Sequence, residues 1–387
     1  MKKNTKKKAM LLGSSLTAYP ILAALKKNGL EVTVVGNDPE DFCHKFADTS
    51  YYEDYSKIKS VEKYLESKRH DFLVPSCNDI SYKSGVALAE IFNFPGFDSP
   101  KVADQIYDKL AFRSALSKVT KHTARHYEIE TKAELPSGLE YPVLVKPKEG
   151  STGFGISYAK NESDLAKLLS SLEGNKKFLV EEFFSGSLHS VSIFFEDGIS
   201  KKKYFVDEFC TDYPYAVNES CAPTFLSDNL KNLVVLELEK IHKQLNLVDG
   251  LLHTQFLVRN DNFMIVESMR RSPGDLYGRL IELSYHERYY DSYVASFIGQ
   301  KLTKETTICS QVKPHARQTL TNLTESIIQG VEFGATGKVI QSYSLSSAGE
   351  MLKRFPVSKQ GIIFLQYDDL SSMRAEVGTL KDKNRVF

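Results

Sequence analysis

Residues 142–155 read Pro-Val-Leu-Val-Lys-Pro-Lys-Glu-Gly-Ser-Thr-Gly-Phe-Gly, and this stretch decides how the chain is interpreted. Its first part is a short apolar run typical of a buried strand, and its second part is a glycine loop with small hydroxyl side chains. Glycines let backbone N–H groups approach an anion closely, and Lys146 adds a positive charge beside the loop. Because the lysine precedes the glycines, the pattern is not a P-loop. It predicts a glycine hairpin that closes over phosphate groups, with a plain β-turn beside an exposed lysine as the alternative.

The segments on either side of this stretch predict three structural regions. Apolar runs at 9–12, 32–35 and 72–75 are separated by helix-like segments, which predicts a parallel sheet with crossover helices. The turn after the first run lacks G-x-G-x-x-G, so a dinucleotide site is a weak alternative. A single helix is predicted over residues 99–117, with Lys109 beside its apolar stripe. From about residue 301, short strand-like runs and glycines predict a small β-rich domain.

A β-hairpin is predicted from residue 251 to residue 270 by alternating polar and apolar side chains. A three-residue turn at 260–262 places Gln255 opposite Glu267 and His253 opposite Met269. Side chains in such cross-strand pairs lie about 5 Å apart at Cβ. A carboxylate and an amide at this distance suit Mg²⁺, which takes oxygen ligands. The alternative is a cross-strand hydrogen bond between Gln255 and Glu267 without a metal.

Directly after the hairpin, residues 270–275 read Arg-Arg-Ser-Pro-Gly-Asp. The planar fork of arginine binds both oxygens of a carboxylate or phosphate group, so this loop predicts an anion site beside the proposed metal. The alternative is an arginine–aspartate pair that only stabilises the turn.

The composition is that of an ordinary soluble protein of two or three domains. The chain has 387 residues, of which 42% are hydrophobic and 26% charged, and its net charge is +1. This balance gives no overall field for binding nucleic acid or an anionic membrane. Five cysteines without a CxxC pair argue against a disulfide framework or a thiolate zinc site and suit a reducing compartment.

The amino terminus has the charge pattern of a signal peptide without its apolar core. Lysines precede a fairly apolar stretch at 9–25, but Gly13 and Pro20 interrupt it. No apolar run reaches the roughly 20 residues that a membrane-spanning helix needs. We therefore expect a cytoplasmic protein.

Taken in order, these motifs resemble the ATP-grasp superfamily, in particular its biotin-carboxylase-like and amino-acid-ligase branches. The similarity runs from Asp108-Lys109 to Asp275, with the α/β region before it and the β-rich region after it. The resemblance implies a mixed α/β (α+β) fold. Its parts would be a parallel-sheet, Rossmann-like pre-ATP-grasp domain at 1–103, a two-lobed ATP-grasp domain at 104–300 with a nucleotide lid at about 120–190, and a small β-rich C-terminal domain at 301–387.

The resemblance also implies which residues bind the nucleotide. Lys109 and Lys146 would contact the phosphates, and the mobile loop above them would consist of Ser151, Thr152, Gly153 and Gly155. In the family, a hinge binds adenine through backbone groups. The residues that resemble this hinge are Glu181, Glu182 and Phe184. His189 is the polar residue nearest the position of the family's ribose-binding glutamate.

The metal-binding motif departs from the family pattern at two positions. Glu267 matches the metal-bridging glutamate of the E-x-N-x-R motif, and Arg271 matches the arginine that steadies the γ-phosphate and the acyl phosphate. Gln255 stands where the family has a metal acid, and Met269 stands where it has asparagine. An amide keeps an oxygen ligand without its charge, whereas a thioether is a poor Mg²⁺ ligand. Three outcomes stay open, in this order: one metal held by Glu267 and phosphate, compensation by an acid such as Asp275, or loss of activity. On this view, Gln255→Glu is expected to tighten metal binding.

The function implied by the resemblance is an ADP-forming carboxylate–amine or carboxylate–thiol ligase that uses ATP with Mg²⁺ or Mn²⁺ and forms an acyl phosphate. Arg271, Glu267 and Asp275 would be its catalytic residues. The alternatives are an ATP-dependent kinase and a catalytically weak ATP-binding protein. Its partners would be small carboxylate and amine substrates, with no nucleic acid or membrane, and a homodimer stays open. Arg279, His315 and Arg317 are interpreted as surface charges, with binding of an anionic substrate as the alternative.

Overall fold

The computed structural model describes residues 6–131, 135–147, 155–171, 177–302 and 312–387. The strands are β1 (Lys8–Leu12), β2 (Glu31–Val35), β3 (Thr49–Tyr51), β4 (Phe72–Pro75), β5 (His126–Glu130), β6 (Val143–Pro147), β7 (Ser157–Ala159), β8 (Lys177–Glu182), β9 (Ser187–Glu196), β10 (Ile199–Phe209), β11 (Glu219–Ala222), β12 (Gly250–Arg259), β13 (Asn262–Met269), β14 (His315–Leu320), β15 (Ser326–Ile327), β16 (Val331–Phe333), β17 (Lys338–Ser344), β18 (Met351–Leu352), β19 (Gly361–Gln366) and β20 (Asn384–Val386).

The helices are α1 (Tyr19–Lys27), α2 (Ile58–Ser67), α3 (Asp79–Phe92), α4 (Pro100–Tyr107), α5 (Lys109–Leu116), α6 (Glu162–Ser171), α7 (Asp228–Gln244), α8 (Tyr277–Tyr285), α9 (Tyr289–Phe297), α10 (Leu370–Glu376) and α11 (Leu380–Lys383). None of the helices in the described part of the chain is long and apolar enough to cross a bilayer. The four described cysteines, Cys43, Cys77, Cys210 and Cys221, are free thiols.

The amino-terminal sheet is parallel, with the strand order β3-β2-β1-β4. Its central strand β1 is buried along the apolar residues 9–12, as expected for a strand covered on both faces. The prediction of a parallel sheet with crossover helices is confirmed. Helix α9 packs against this region, and its Tyr293 hydroxyl donates to the carbonyl of Pro75 at 3.1 Å.

The second sheet has eight strands in the order β13-β12-β9-β10-β11-β14-β19-β17. Its last three strands come from the region predicted to be a separate β-rich domain. Strand β14 pairs with β11 and is buried along its whole length, which removes the open edge that β11 would otherwise present. The C-terminal region is therefore β-rich as expected, but the boundary predicted at residue 301 crosses one continuous sheet.

A smaller antiparallel sheet, with the strand order β5-β8-β6-β7, has a hydrophobic core of its own. Helix α6 contributes Leu165 and Leu169 to this core. We call residues 126–182 the small unit. It lies within the span predicted for a lid at about 120–190.

The single helix predicted over residues 99–117 is wrong, because the chain breaks at Asp108 into α4 and α5. Asp108 has an extended backbone, and its carboxylate accepts from the backbone N–H groups of Leu110 and Ala111. An aspartate at this position caps the free N–H groups at the start of a helix. The break makes Lys109 the first residue of α5.

The hairpin β12–β13 has the predicted pairs but not the predicted turn. Asn260 and Asp261 alone form the turn, both with positive φ, as a two-residue type I′ turn requires. A bulge at Val266 then shifts the register by one residue. Because the short turn and the bulge compensate, Gln255 still faces Glu267, and His253 still faces Met269.

A buried ion pair joins the end of β13 to the amino-terminal region. The Arg270 Nε atom contacts Asp98 at 2.7 Å, and both side chains are almost completely buried. Asp98 also accepts from the Tyr82 hydroxyl at 2.7 Å and from the Val248 N–H at 2.8 Å. The other nitrogens of Arg270 donate to the carbonyls of Leu251 and Val248. Arg270 is therefore a structural residue.

We expect Arg270→Met to lower the free energy of unfolding by roughly 3–5 kcal/mol, because the substitution leaves the Asp98 carboxylate buried without a cation. Urea unfolding followed by circular dichroism measures the loss. Arg385→Met is the matched control, since Arg385 is exposed and its Nε atom donates to the Asp382 carbonyl rather than to a buried carboxylate. Equal stability of the two variants would contradict the assignment.

Candidate active site

One face of the eight-stranded sheet carries a row of polar side chains, one from each of six neighbouring strands. In order from β13 to β14 they are Glu267, Gln255, Ser190, Glu208, Ser220 and Arg317, and we call them the polar row. Gln255 faces both Glu267 and Ser190, and Ser220 faces both Glu208 and Arg317. Ser190 and Glu208 are joined by a hydrogen bond of 2.8 Å.

Glu267 lines a cleft at one end of the polar row. Its side chain is accessible to solvent and yet surrounded by charged groups from other segments. Desolvation in the cleft and the negative charge of Asp79 raise the pKa of Glu267 above its ordinary value. The cations that oppose this rise are Arg271, Lys146 and Lys109. The structure thus brings together four residues that the sequence assigned to one site.

Lys146 is held in place by a buried carboxylate. Its Nζ atom lies 2.5 Å from one oxygen of Glu181, and the other oxygen accepts from Arg113. Burial alone raises the pKa of Glu181, but the charges of Arg113 and Lys146 outweigh burial and hold the pKa at about 2. Glu181 is therefore an anion that fixes the position of a lysine at the end of β6.

Arg113 also fixes the bulge that carries Glu267. Its two terminal nitrogens donate to the carbonyls of Ile265 and Val266 at 2.8 and 2.7 Å. These carbonyls belong to the segment where the register of β13 shifts. Nothing in the sequence pattern singled out Arg113, because its role depends on contacts with residues more than 60 positions away.

Lys109 approaches the same cleft from the first turn of α5. Its Nζ atom donates to the carbonyl of Pro147 at 3.1 Å, so it contacts the strand that ends beside Lys146. Desolvation lowers the pKa of Lys109, and the charge of Glu267 raises it. Two lysines and a glutamate converge here, as a site for phosphate oxygens and a cation requires.

The glycine loop is described only at its end. Ser151, Thr152 and Gly153 lie outside the described residues. Gly155 has a φ of +79°, and a Cβ atom there would lie 3.2 Å from Pro147. The positive φ favours glycine at this position, and a Cβ atom would also make a tight contact with the Pro147 ring.

The predicted adenine hinge begins with the last two residues of β8. The Glu181 side chain is buried between Lys146 and Arg113. The Glu182 N–H donates to the carbonyl of Arg125 at 3.1 Å. The Phe184 ring lies under the Arg259 guanidinium at 4.7 Å. Adenine binding at this hinge stays a prediction.

The ribose-binding role expected for His189 was wrong. Neighbouring residues of a strand point to opposite faces, and Ser190 belongs to the polar row. His189 therefore lies on the other face, stacked on Phe256. Both ring nitrogens have partners, Asp207 at 2.5 Å and the Ser187 hydroxyl at 2.7 Å.

Gln255 has a partner that the sequence did not reveal. Its Nε2 atom donates to Glu208 at 2.6 Å, across the small side chain of Ser190. Desolvation raises the pKa of Glu208 to about 7, and the charge of Asp275 adds to the rise. The predicted position of Gln255 opposite Glu267 is confirmed. The new carboxylate of Gln255→Glu would however stand against Glu208, so we do not expect the single substitution to tighten metal binding.

The interpretation of Arg317 as a surface charge was also wrong. Arg317 is fully buried, and its Nη1 atom lies 2.5 Å from Asp275. His315 is buried as well, whereas Arg279 is partly exposed and bonds to Gln341 and Glu282. Asp275 is thus bound to β14, which is at the opposite end of the polar row from Glu267. This position weakens the case for Asp275 as a compensating metal acid.

The donors at Glu267 suit Mg²⁺ only in part. Within the described ranges, no three His, Cys, Asp or Glu side chains converge as a complete metal site. Glu267 offers an accessible carboxylate. The hydrogen bond to Glu208 orients the Gln255 amide, whose oxygen remains for a cation. Phosphate oxygens and waters normally complete the Mg²⁺ shell. The residues therefore fit Mg²⁺ held jointly with a phosphate ligand.

Residues 113–275 match the family model described as "D-ala D-ala ligase C-terminus". The chain contains an ATP-grasp domain. The resemblance inferred from the motifs is confirmed, and the mixed α/β fold agrees with it.

Whole-chain comparisons agree with this assignment. The chain is 24% identical over 344 residues to the formate-dependent phosphoribosylglycinamide formyltransferase of Prochlorococcus marinus (strain MIT 9515), covering 83% of each chain. Its fold matches the L-amino acid ligase from Bacillus licheniformis with a TM-score of 0.83 and 16% identity, over 100% of this chain and 99% of the other. It also matches the biotin carboxylase domain of the Hydrogenobacter thermophilus 2-oxoglutarate carboxylase, solved with MgADP, with a TM-score of 0.77 and 14% identity, over 98% and 90%.

Lys146→Ala is expected to weaken ATP binding while the ATP-grasp domain stays folded, since Glu181 keeps its bond to Arg113. Loss of one charge-assisted phosphate contact costs about 1.5–3 kcal/mol. Isothermal titration with ATP and Mg²⁺ measures the change. Lys177→Ala is the control, because Lys177 belongs to the same small unit and is 52% exposed. Unchanged ATP affinity in folded Lys146→Ala would exclude a phosphate role.

Gln255→Glu alone is expected to lower the melting temperature, because it places a second carboxylate against Glu208. The Gln255 Nε2 atom now lies 2.6 Å from a Glu208 oxygen at this point. The exchange Gln255→Glu with Glu208→Gln restores the hydrogen bond and places an acid beside Glu267. We expect tighter Mn²⁺ binding in the exchanged protein only, measured by electron paramagnetic resonance with ADP present. Equal tightening in the single variant would contradict the orientation of Gln255.

Proposed function

We propose that the protein is an ADP-forming ligase that joins a carboxylate to an amine through an acyl phosphate. The observation that carries the proposal is the convergence of Glu267, Lys109, Lys146 and Arg271 on one cleft. These side chains could hold the phosphates of ATP and one Mg²⁺ or Mn²⁺ ion. The L-amino acid ligase and the MgADP-bound carboxylase domain support this assignment, because both share the fold over nearly the whole chain.

The chain's own groups would act mainly by position and charge. Lys109 and Lys146 would neutralise phosphate oxygens, and Glu267 would hold the cation. The bound cation would withdraw charge from the phosphate oxygens during transfer. No side-chain nucleophile is needed, since binding brings carboxylate, phosphate and amine together.

Arg271 would act on the transferred phosphoryl group. The Arg271 Nε atom donates to Asp79 at 2.8 Å, and the Arg271 Nη1 atom donates to the Ser272 carbonyl at 3.3 Å. Neither contact uses Nη2. The Asp79 carboxylate fixes the guanidinium plane, so the Nη2 end of the fork would already be oriented before substrate binds.

The edge of the parallel sheet and the loop after Arg271 come together near Asp79. Asp79 follows β4 of the parallel sheet, and a Cβ atom on Gly274 would lie 3.1 Å from the carbonyl of Cys77. Ligands of parallel sheets bind beyond the carboxyl ends of their strands. We place the carboxylate substrate between this edge and Arg271. The free thiols of the described cysteines support a cytoplasmic setting.

The experiment is a screen for ADP release. Purified protein, ATP and Mg²⁺ are incubated with amino acids, sugar acids and dipeptides, with hydroxylamine added in parallel. A ligase releases ADP and phosphate, and hydroxylamine traps its acyl phosphate as a hydroxamate. A stable phosphoester would support a kinase, a thioester product would identify a thiol as the nucleophile, and ATP binding without turnover would support a catalytically weak protein. Glu267→Gln is the inactive control.

Arg271→Ala is expected to reduce kcat strongly with little change in ATP affinity, because charge develops at the phosphoryl group only during transfer. Arg271→Lys should recover only part of the rate, since lysine lacks the bidentate fork. Hydroxamate yield and ATP titration measure the two effects separately. A parallel loss of ATP affinity and rate would place Arg271 in nucleotide docking.

A further inference from the structure

A serine, a histidine and an aspartate form a hydrogen-bonded chain on the face of the large sheet opposite the polar row. Ser187 and His189 both belong to β9, and residues two apart in a strand point to the same face. Asp207 lies directly opposite His189 on β10. Ser190, the next residue of β9, belongs to the polar row on the other face, so the three residues form a separate group. We call Ser187, His189 and Asp207 the serine cluster.

The contacts in the serine cluster have the order of a serine nucleophile with its base. The Ser187 hydroxyl lies 2.7 Å from His189 Nε2, and His189 Nδ1 lies 2.5 Å from Asp207. The same three groups, joined through the same two ring nitrogens, recur in acyl-transfer enzymes of unrelated folds. Ser187 is exposed, whereas the side chains of His189 and Asp207 are buried. A reagent can therefore reach the hydroxyl while the base stays shielded from water.

Asp207 is held so that it fixes the tautomer of His189. One of its oxygens accepts from the Thr224 hydroxyl as well as from His189, and the other accepts from the Phe225 N–H at 2.7 Å. Because both oxygens are occupied by donors, the proton between Asp207 and His189 belongs to Nδ1, and Nε2 presents its lone pair to Ser187. Stacking on Phe256, with ring centroids 5.8 Å apart, restricts rotation of the imidazole.

The surroundings of the Ser187 hydroxyl suit a small uncharged group. Its one other contact is with the Val258 carbonyl at 3.5 Å, which is much longer than the contact with His189. Val258 is also the residue directly opposite Ser187 on β12, and its side chain is half-buried. Since cross-strand partners share a face, an apolar side chain borders the hydroxyl.

We propose that Ser187 is a nucleophile that accepts an acyl group from an activated ester. His189 takes the proton of the Ser187 hydroxyl as Oγ bonds to the carbonyl carbon, and Asp207 stabilises the resulting imidazolium. The bond between the carbonyl carbon and the leaving oxygen then breaks, and His189 gives the proton to that oxygen. The products are an O-acylated Ser187 and a free alcohol. The step needs no nucleotide, so it is independent of the proposed ligase function.

An alkyl fluorophosphonate tests the nucleophile in the full chain. Ser187 Oγ would bond to phosphorus and fluoride would leave, with the proton passing to His189. We expect mass spectrometry to find the label on Ser187 and to find none at this position in Ser187→Ala. Ser185→Ala is the matched control, since Ser185 is exposed two residues earlier. For the acyl step, the protein should release p-nitrophenol from p-nitrophenyl acetate faster than Ser187→Ala does.

Two variants test the roles of His189 and Asp207. His189→Gln should slow labelling of Ser187 at least about a hundredfold, because it removes the general base. Asp207→Asn should also slow labelling, because an amide nitrogen donating to Nδ1 favours the tautomer with its proton on Nε2. Nitrogen NMR of the protein labelled in its histidines shows that change of tautomer, which a merely structural role of Asp207 would not produce.

Thermal unfolding verifies that each variant is folded. If His189→Gln is not, Ser187→Cys replaces it, with Ser185→Cys as its control. At neutral pH, iodoacetamide should alkylate the thiol introduced at position 187 at least about fivefold faster than the thiol at position 185, because a neighbouring imidazole raises the thiolate fraction.

Four results would overturn the proposal. The first is the absence of label from Ser187 in the folded protein. The second is an equal labelling rate in folded His189→Gln, or equal alkylation rates of the two introduced thiols. The third is an equal release of p-nitrophenol by Ser187→Ala. The fourth is a loss of ATP affinity in Ser187→Ala, measured by isothermal titration, which would place Ser187 in nucleotide binding. Failure of the ligase assignment would leave all the labelling results unchanged.

Discussion

The site depends on one buried carboxylate that two cations share. Glu181 lies between Arg113 and Lys146, so a single anion joins helix α5, two strands of the small unit and, through Arg113, the bulge of β13. A buried charge is stable only when it is fully paired, and here the pairing requires all of these segments to be in place at once. Lys146 and Glu267, which the proposed function assigns to the phosphates and to the metal, are thus positioned by the same contact.

Most of what the sequence predicted came from local patterns. The apolar runs of β1, β2 and β4 needed no distant information, because a strand buried on both faces is apolar along its length. The pairing of Gln255 with Glu267 followed from alternation along two strands. Lys109, Lys146, Glu267 and Arg271 were found because their order matches a known family, and the structure brings them to one cleft. Their individual roles stay predictions.

What the sequence did not predict depends on contacts between distant segments. Glu208 and Gln255 meet across β9 only because Ser190 between them is small, and no spacing rule connects three strands in this way. Arg317 lies in a segment that was expected to form a separate domain, so its burial beside Asp275 had no local signal. His189 was assigned to the ribose because of its position along the chain. A shift of one residue, however, moves a side chain to the other face of a sheet.

The bulge at Val266 has a consequence for comparing this chain with its relatives. The short turn at Asn260-Asp261 removes one residue from the hairpin, and the bulge adds one back before Glu267. A residue-by-residue alignment through the hairpin would see no gap, although the pairs between turn and bulge are displaced by one position. An evolutionary comparison should align Glu267 from the strand pairing rather than by counting from the turn.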